Sequence, residues 1–406
     1  MSFYRGPKVV TEGLVFGYDT GYPVVSGSSD TYRFNLGEPT TNVLNDTIQV
    51  AGTGTSLGSD SFGEFIQLGD NTSGYSRFQL PNISLSSNET YTWSFELYAT
   101  ETFDRGSNNY SFDQNEYSDQ YTGNDASRVS FSQSQPNSIP AGQWTPFRLT
   151  VTMKDNLTNA RAGDYFRFYY PAFQNKKVYY RNMQFERDKD HKTPYAGQGG
   201  SRSSTGALID LTGNRTVDLS DVSFNSDAQM TFNGTDNFIE LDTTLSGLIG
   251  SSPSAVSFEF VAKADNLTNP IGISGDYTSP PSTGFGIKRS SSNNKLEFRV
   301  YATGGIPSST TDIPTDSYFH GVCVWDGTGT GEHRIYFNGV LETTDTSAGT
   351  TWNHSNGNLR IGDIYGGMGV PGEWQGGIPL FKVYSKALTD EEVANNFNAI
   401  KNRFNL

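Results

Sequence analysis

Cysteine is almost absent from this 406-residue chain: Cys323 stands alone, so no intrachain disulfide can form. Its neighbours Val322, Val324 and Trp325 read as a strand, which makes it a small buried residue rather than a reactive thiol. Histidine is scarce as well. His191, His320, His333 and His354 are scattered and have no metal-ligand spacing. No apolar run approaches the length of a membrane-spanning helix, and Met1–Val10 has no signal-peptide core. The expectation is a protein made in a cytoplasm, with no membrane insertion, and exported, if at all, by lysis or assembly. Cations are outnumbered: 29 Lys and Arg against 43 Asp and Glu leave a net charge of −14. Binding phosphate needs cationic neutralisation, so nucleic acid and anionic membranes are disfavoured as partners, whereas neutral ligands such as sugars are tolerated.

Aromatic residues and glycine are abundant. Hydrophobic residues make up only 34% of the chain, yet aromatics reach 13%, with 27 Phe and 22 Tyr beside 44 Gly. Short aromatic strands joined by Gly-rich turns have this composition; a helical protein would carry more Ala, Leu, Glu and Lys. The length predicts at least two domains. In the C-terminal half, Val256, Phe258 and Phe260 alternate with Ser257 and Glu259. Leu296, Phe298 and Val300 alternate with Glu297, Arg299 and Tyr301. Each pattern predicts an antiparallel strand, apolar toward a core and polar toward water. Asn338-Gly339 tolerates the positive φ angles of a tight type I′ hairpin. Thr389-Asp390-Glu391-Glu392 is a capping box, with Val393, Phe397 and Ile400 behind it at helical spacing. Lys401 and Arg403 suit the negative end of the dipole. A short helix over 389–402, laid across the edge of a sandwich, is expected.

The N-terminal half also holds strands. Tyr91, Trp93, Phe95 and Leu97 share one face, and Phe147, Leu149, Val151 and Met153 share another. Phe166, Phe168 and Tyr170, then Tyr179, Met183 and Phe185, follow. This spacing predicts a second β-sandwich. Residues 195–206 are Gly- and Ser-rich and read as a linker. Among the polar residues of 103–126 lie Tyr110, Phe112, Asp113, Glu116, Tyr117, Asp119 and Tyr121. Aromatic faces stack on the C–H side of sugars and carboxylates accept hydroxyl hydrogen bonds, so this loop is a candidate carbohydrate-binding surface. An ordinary hairpin or a subunit contact is the alternative reading.

Several motifs carry a resemblance. Met230–Leu241 is similar to the F-D-G-x-D-D-Y-I segment of laminin-G-like, concanavalin-A-like jelly rolls. Phe319–Gly327 with Ile335–Gly339 resembles their W-x-H-V-A-V-x-Y-D-G … L-Y-V-N-G hairpin. Asn358–Gly362 resembles their L-x-I-G strand, and Trp374–Tyr384 with Lys386–Glu392 their closing strand and R-A-L-S-x-E-E helix start. Pro7–Gly21 is similar to the opening strand of this jelly roll in phage structural proteins, where it runs almost directly into D-L-T-G-N. Here that segment is Asp210–Asn214. The resemblance therefore implies an insertion: residues 1–35 hold the first strand, 36–196 form an inserted β-sandwich, and 197–406 complete the jelly roll. The inserted part resembles jelly-roll carbohydrate-binding modules, with Trp93 and Trp144 on predicted strands. The expected fold is all-β, two antiparallel sandwiches, one inserted in the other, with a short C-terminal helix. The combination most resembles virion proteins of tailed bacteriophages.

Laminin-G-type sandwiches often bind calcium at one rim, which makes Asp236, Asp363 and Glu373 the acids to test, although Asn237 stands where a second Asp is common. Glucanases of this fold use a Glu-x-Asp-x-x-Glu strand. The nearest match, Glu240-Leu241-Asp242-Thr243-Thr244-Leu245, lacks the proton donor. The alternating charges of Glu186–His191 read as a solvated exit loop. The expectation is a non-enzymatic virion component, a fibre, decoration or appendage protein. Its partners would be other virion proteins and host-surface glycans, and it would be oligomeric on the particle. The alternatives are a carbohydrate-active enzyme or its binding module, and a purely architectural protein.

Overall fold

The computed structural model describes residues 9–21, 37–44, 48–69, 75–79, 86–104, 110–113, 129–134, 136–153, 165–169, 175–197, 199–268, 272–278, 282–290, 292–301, 305–364 and 372–406. The protein is all-β. Its contacts form two compact units, one made of Met1–Pro39, Ser203–Asn225 and Gln229–Leu406, the other of Thr40–Arg202 and Ser226–Ala228. No helix among the described residues is long and apolar enough to cross a membrane.

The first unit is a sandwich of two antiparallel sheets. One runs in the order Ser223–Phe224, Met230–Asn233, Gln375–Tyr384, Ala255–Ala264, Tyr318–Asp326, Glu332–Phe337, Val340–Asp345. Leu14–Asp19 pairs with Gln375–Tyr384 in this sheet. The other sheet runs Ile239–Thr244, Asn358–Ile361, Gly272–Gly275, Phe285–Arg289, Lys295–Val300, Ser308–Asp312. Between them Phe258 stacks on Phe285 at 4.4 Å and meets Phe298 edge-on at 6.1 Å. The D-L-T-G-N segment docks on the opening strand. Gly17 N donates to Asp210 Oδ1 (3.0 Å) and Leu211 N to Gly17 O (2.7 Å), while Asp210 Oδ2 accepts the amides of Asn214 and Arg215. One carboxylate thus satisfies the amides of its own turn and of the neighbouring strand.

Local signals set the ends of the elements. Asn338 and Gly339 have φ of 48° and 78°, as a type I′ hairpin requires. The helix Asp390–Phe404 begins at Thr389, whose side chain accepts from Glu392 N while the Glu392 carboxylate accepts from Thr389 N.

Two expectations need correction. The helix lies on the face of the first sheet, not across an edge. Val393 packs with Val322, Val324, Tyr336 and Tyr384, and Ile400 and Phe404 with Val261 and Leu380. Glu259 is consequently not in water; it is fully buried on that covered face. Its carboxylate accepts from Lys382 Nζ (3.2 Å), Tyr384 OH (2.9 Å) and Asn396 Nδ2 (2.8 Å), and His320 Nε2 lies 3.2 Å away. Alternation shows which residues share a side; it does not show what covers that side.

The second unit is also a sandwich. Its larger sheet runs Val129–Ser134, Trp144–Met153, Thr90–Ala99, Lys177–Arg187, Gly63–Gln67, Ser56–Asp60. The smaller runs Gln49–Ala51, Tyr75–Gln79, Tyr165–Tyr169, Tyr110–Asp113. Phe78 of the smaller sheet meets Trp93 at 5.9 Å and Phe95 at 5.3 Å in the core. Thr40–Thr41 pairs with Ser201–Arg202, so the chain enters and leaves this unit side by side.

Candidate functional site

The strands of the larger sheet in the second unit have a buried side and an outer side. On Thr90–Ala99 the residues Trp93, Phe95, Leu97 and Ala99 enter the core, which turns Glu96 and Tyr98 outward. The same alternation turns Trp144 outward from Phe147 and Leu149, Tyr179 from Val178, and Phe65 from Ile66. Register then aligns them. Trp144 lies opposite Tyr98, Tyr98 opposite Tyr179, and Tyr179 opposite Phe65. Four aromatic residues on four adjacent strands form one cross-strand row, each half-buried.

Two local features complete this platform. Gly58 lies opposite Phe65, and a Cβ there would stand 2.5 Å from the Phe65 ring, so the missing side chain is what lets the ring lie over the last strand. At the hairpin tip, Phe62 N donates to Asp60 Oδ1 (2.9 Å) in an Asx turn that aims Phe62 back over the row. The Phe62 ring is 4.7 Å from both Tyr98 and Tyr179 and nearly parallel to Trp144 at 6.1 Å, and it remains 50% exposed. Among the described residues, Val129–Ser134 pairs with Trp144–Met153 only from Arg148 onward, which leaves Trp144 beyond the last paired position.

Charges frame the rings in pairs. Arg181 bonds Glu96 at 2.5 Å and its guanidinium lies 4.2 Å over the Trp144 ring, while Lys192 lies 3.5 Å from Glu96. Lys177 is 3.3 Å from Asp60 and 4.1 Å over Phe65, and Tyr179 OH donates to Asp60 Oδ2 at 3.1 Å. The backbone amide of Phe62, with Tyr179 and Lys177, holds the Asp60 carboxyl below the usual range. Asp60 is thus a charged hydrogen-bond acceptor beside the half-exposed Phe62 ring.

Of the loop singled out in the sequence, Tyr110, Phe112 and Asp113 lie on a strand paired with Tyr165–Tyr169. Glu116, Tyr117, Asp119 and Tyr121 fall outside the described residues. The candidate calcium acids are not brought together: among the described residues no three His, Cys, Asp or Glu side chains are grouped to hold a metal ion. Asp236 accepts from Asn233 Nδ2 (2.6 Å) in its own turn, and Asp363 is already paired with the Arg360 guanidinium at 2.9 Å. Glu373 Oε2 and Asn237 Oδ1 are buried oxygens without hydrogen-bond partners.

The glucanase-like strand supplies no acid/base pair. Glu240 is bound to Arg360 at 2.7 Å, and Leu245, where a proton donor would stand, is buried in the core. Burial pushes the Asp276 carboxyl up to about 7. Its Oδ1 accepts from Phe285 N (2.9 Å) and its Oδ2 has no partner, but the residue is wholly buried and out of reach of a substrate. The Cys323 thiol is buried and its pKa is raised by that burial, as befits a core residue.

Residues 233–394 match the Laminin_G_3 family, described as the concanavalin A-like lectin/glucanases superfamily. The match covers less than half of the chain. No curated protein matches this sequence. Among solved structures, the chain is similar to a native heptameric SAP-like pentraxin from Limulus polyphemus, at 21% identity over 44% of this chain and 82% of that one, with a TM-score of 0.32. It is similar to a Trypanosoma rangeli sialidase at 12% identity over 47% of this chain and 30% of that one, TM-score 0.37. Domain 4 of an extracellular arabinanase from Geobacillus stearothermophilus, in complex with arabinotriose, is similar at 16% identity over 48% of this chain and 92% of that one, TM-score 0.35.

Proposed function

We propose that this is a non-enzymatic carbohydrate-recognition protein whose ligand surface is the aromatic platform of the Thr40–Arg202 unit. The observation that carries this reading is the cross-strand row Trp144, Tyr98, Tyr179 and Phe65 under an exposed Phe62, with the carboxylates of Asp60 and Glu96 beside it. Ring faces suit the C–H faces of sugars, and ordered carboxylates accept their hydroxyls. The lectin-type family of the other unit is in keeping with this role. The absence of a proton donor at Leu245 and the pairing of Glu240 with Arg360 support binding without hydrolysis.

In this reading the protein is a virion component of a tailed bacteriophage that attaches to host-surface glycans. What supports that part is the resemblance of Pro7–Gly21 and Asp210–Asn214 to phage structural proteins. A single stacking contact is worth only about 0.5–1.5 kcal/mol, so useful adhesion needs many copies and avidity. A glycan array probed with the full chain on a multivalent bead tests the proposal. Glycan signal that is lost in Trp144→Ala with Phe62→Ala supports it. A blank array, or signal untouched by that pair, overturns it. Tyr117→Ala with Tyr121→Ala, on the same array, tests the loop of 110–121 as the rival surface.

A further inference from the structure

The helix Asp390–Phe404 covers a group of side chains that can react with one another. We propose that Lys382 and Asn396 join in an intramolecular isopeptide bond, with Glu259 as the acid–base catalyst. The three come from separate elements: Lys382 from Gln375–Tyr384, Glu259 from Ala255–Ala264 and Asn396 from the helix. Lys382 Nζ donates to Glu259 Oε2 at 3.2 Å, and Asn396 Nδ2 donates to the same oxygen at 2.8 Å. Nucleophile and leaving group therefore flank one carboxylate oxygen. The carbonyl end of Asn396 is engaged as well: its Oδ1 accepts from Val10 N at 2.7 Å. Those two bonds fix which end of the carboxamide is which, since a backbone N–H meets only the oxygen and a carboxylate only the nitrogen. Tyr384 OH, donating to Glu259 at 2.9 Å, and His320 Nε2, 3.2 Å from the other carboxylate oxygen, are positioning residues. Gly17 lies opposite Lys382, and a Cβ there would stand 3.0 Å from Lys382 Cγ, so the bare glycine lets the lysine stem lie along the opening strand.

The site is dry. Glu259, His320, Tyr384 and Asn396 have no exposed surface, and Lys382 is 3% exposed. Proton transfer from Lys382 to Glu259 leaves a neutral amine, which attacks Cγ of Asn396. The carbonyl electron pair moves onto Oδ1, where Val10 N donates to the oxyanion. Glu259 passes its proton to Nδ2 and takes up a second one from Nζ as the Cγ–Nδ2 bond breaks. Ammonia leaves with that last proton as ammonium; a Cγ–Nζ amide and the carboxylate remain. Burial would raise the Glu259 carboxyl, but Lys382 holds it well below its ordinary value, so the neutral amine is scarce and the reaction is slow. The fold supplies the time, because it keeps the reacting groups together. The product ties the closing strand to the middle of the helix. In a chain with a single cysteine it is a covalent link that no disulfide can supply.

The test is mass spectrometry of the full chain after prolonged incubation at mildly alkaline pH. The major fraction should be lighter by one ammonia. Trypsin should release residues 361–386 joined to residues 387–401, because an acylated Lys382 is not cleaved. Lys382→Met and Asn396→Ala should keep their full mass. Glu259→Gln should as well, with Lys382 left as an ammonium, and Glu259→Asp, which keeps the charge, should form the bond at least about tenfold more slowly. A parent protein of full mass, with a separate peptide ending at Lys382, overturns the inference. So does a lost ammonia without the branched peptide, which marks a succinimide at an Asn-Gly pair such as Asn338-Gly339. A branched peptide that forms at the parent's rate in Glu259→Gln or Glu259→Asp overturns the role of Glu259.

Discussion

Replacing Glu259 by Gln should be among the most damaging conservative changes in the chain. The carboxylate is wholly buried between the sheet and the closing helix. Burial alone would raise its pKa, but Lys382 and His320 hold it well below the ordinary Glu value of 4.5. Glu259→Gln leaves the Lys382 ammonium, itself 3% exposed, without an anion. Breaking a buried pair in this way costs about 3–5 kcal/mol. At about 2–4 °C per kcal/mol for a unit of this size, the melting transition should fall by roughly 6–20 °C, measured by calorimetry. Glu259→Leu with Lys382→Met removes both charges and should recover at least half of that loss, because a buried pair and a well-packed apolar pair are often near parity. A depressed folded-state pKa also means that the contribution of Glu259 is present above pH 4.5 and fades as pH falls below it. A Glu259→Gln protein within about 0.5 kcal/mol of the parent, as expected of a solvent-facing strand position, would refute this account.

Asp276 should have the opposite pH signature: its carboxyl is raised from 3.8 to about 7, so its stabilising effect is present at low pH and lost as pH rises through that window, on the order of 4 kcal/mol. Asp276→Asn should therefore gain stability over the parent between pH 4 and pH 7.5 in parallel thermal melts, and a constant difference would count against the assignment. His333, buried and lowered from 6.5 to about 4, should cost stability as pH falls through that interval, and His333→Phe should flatten this part of the profile. Gly339→Ala combines a φ of 78° with a Cβ 2.6 Å from the Phe397 ring, so its melting temperature should drop by several degrees, while Gly142→Ala, strained but in open space, should drop less. Phe298→Ala should cost about 3–5 kcal/mol by denaturant titration, because the ring meets Phe258 and His333 in the core.

The features legible in the sequence are those whose geometry is local. Asn338-Gly339 and Thr389–Glu392 fix their own φ angles and hydrogen bonds within four residues. Asp210–Asn214 was recognisable because its turn is self-contained; that it docks on Gly17 is a long-range fact that its resemblance to phage proteins carried. Glu259 was misread because nothing in Val256–Phe260 reveals a helix that arrives from residue 390. The platform was missed for a related reason. Phe65, Tyr98, Trp144 and Tyr179 are far apart in the chain and become neighbours only through register. A signal was present: Tyr98 and Tyr179 stand at the outward positions of their strands, beside Leu97 and Val178 that point inward. An aromatic residue on the polar side of a strand needs a reason, and four on one row share it.

Trp144 allows the central claim to be tested without a mutation. Of the five tryptophans, Trp93, Trp325, Trp352 and Trp374 are buried and Trp144 alone is half-exposed. Acrylamide quenching of the native protein should therefore report chiefly on the platform. A glycan that scores on the array should shield that fluorescence from acrylamide in proportion to its occupancy, and should leave Trp144→Phe unchanged. A glycan that binds with full occupancy and leaves the quenching of Trp144 as it was would show that the sugar sits elsewhere, and would contradict the assignment of the platform.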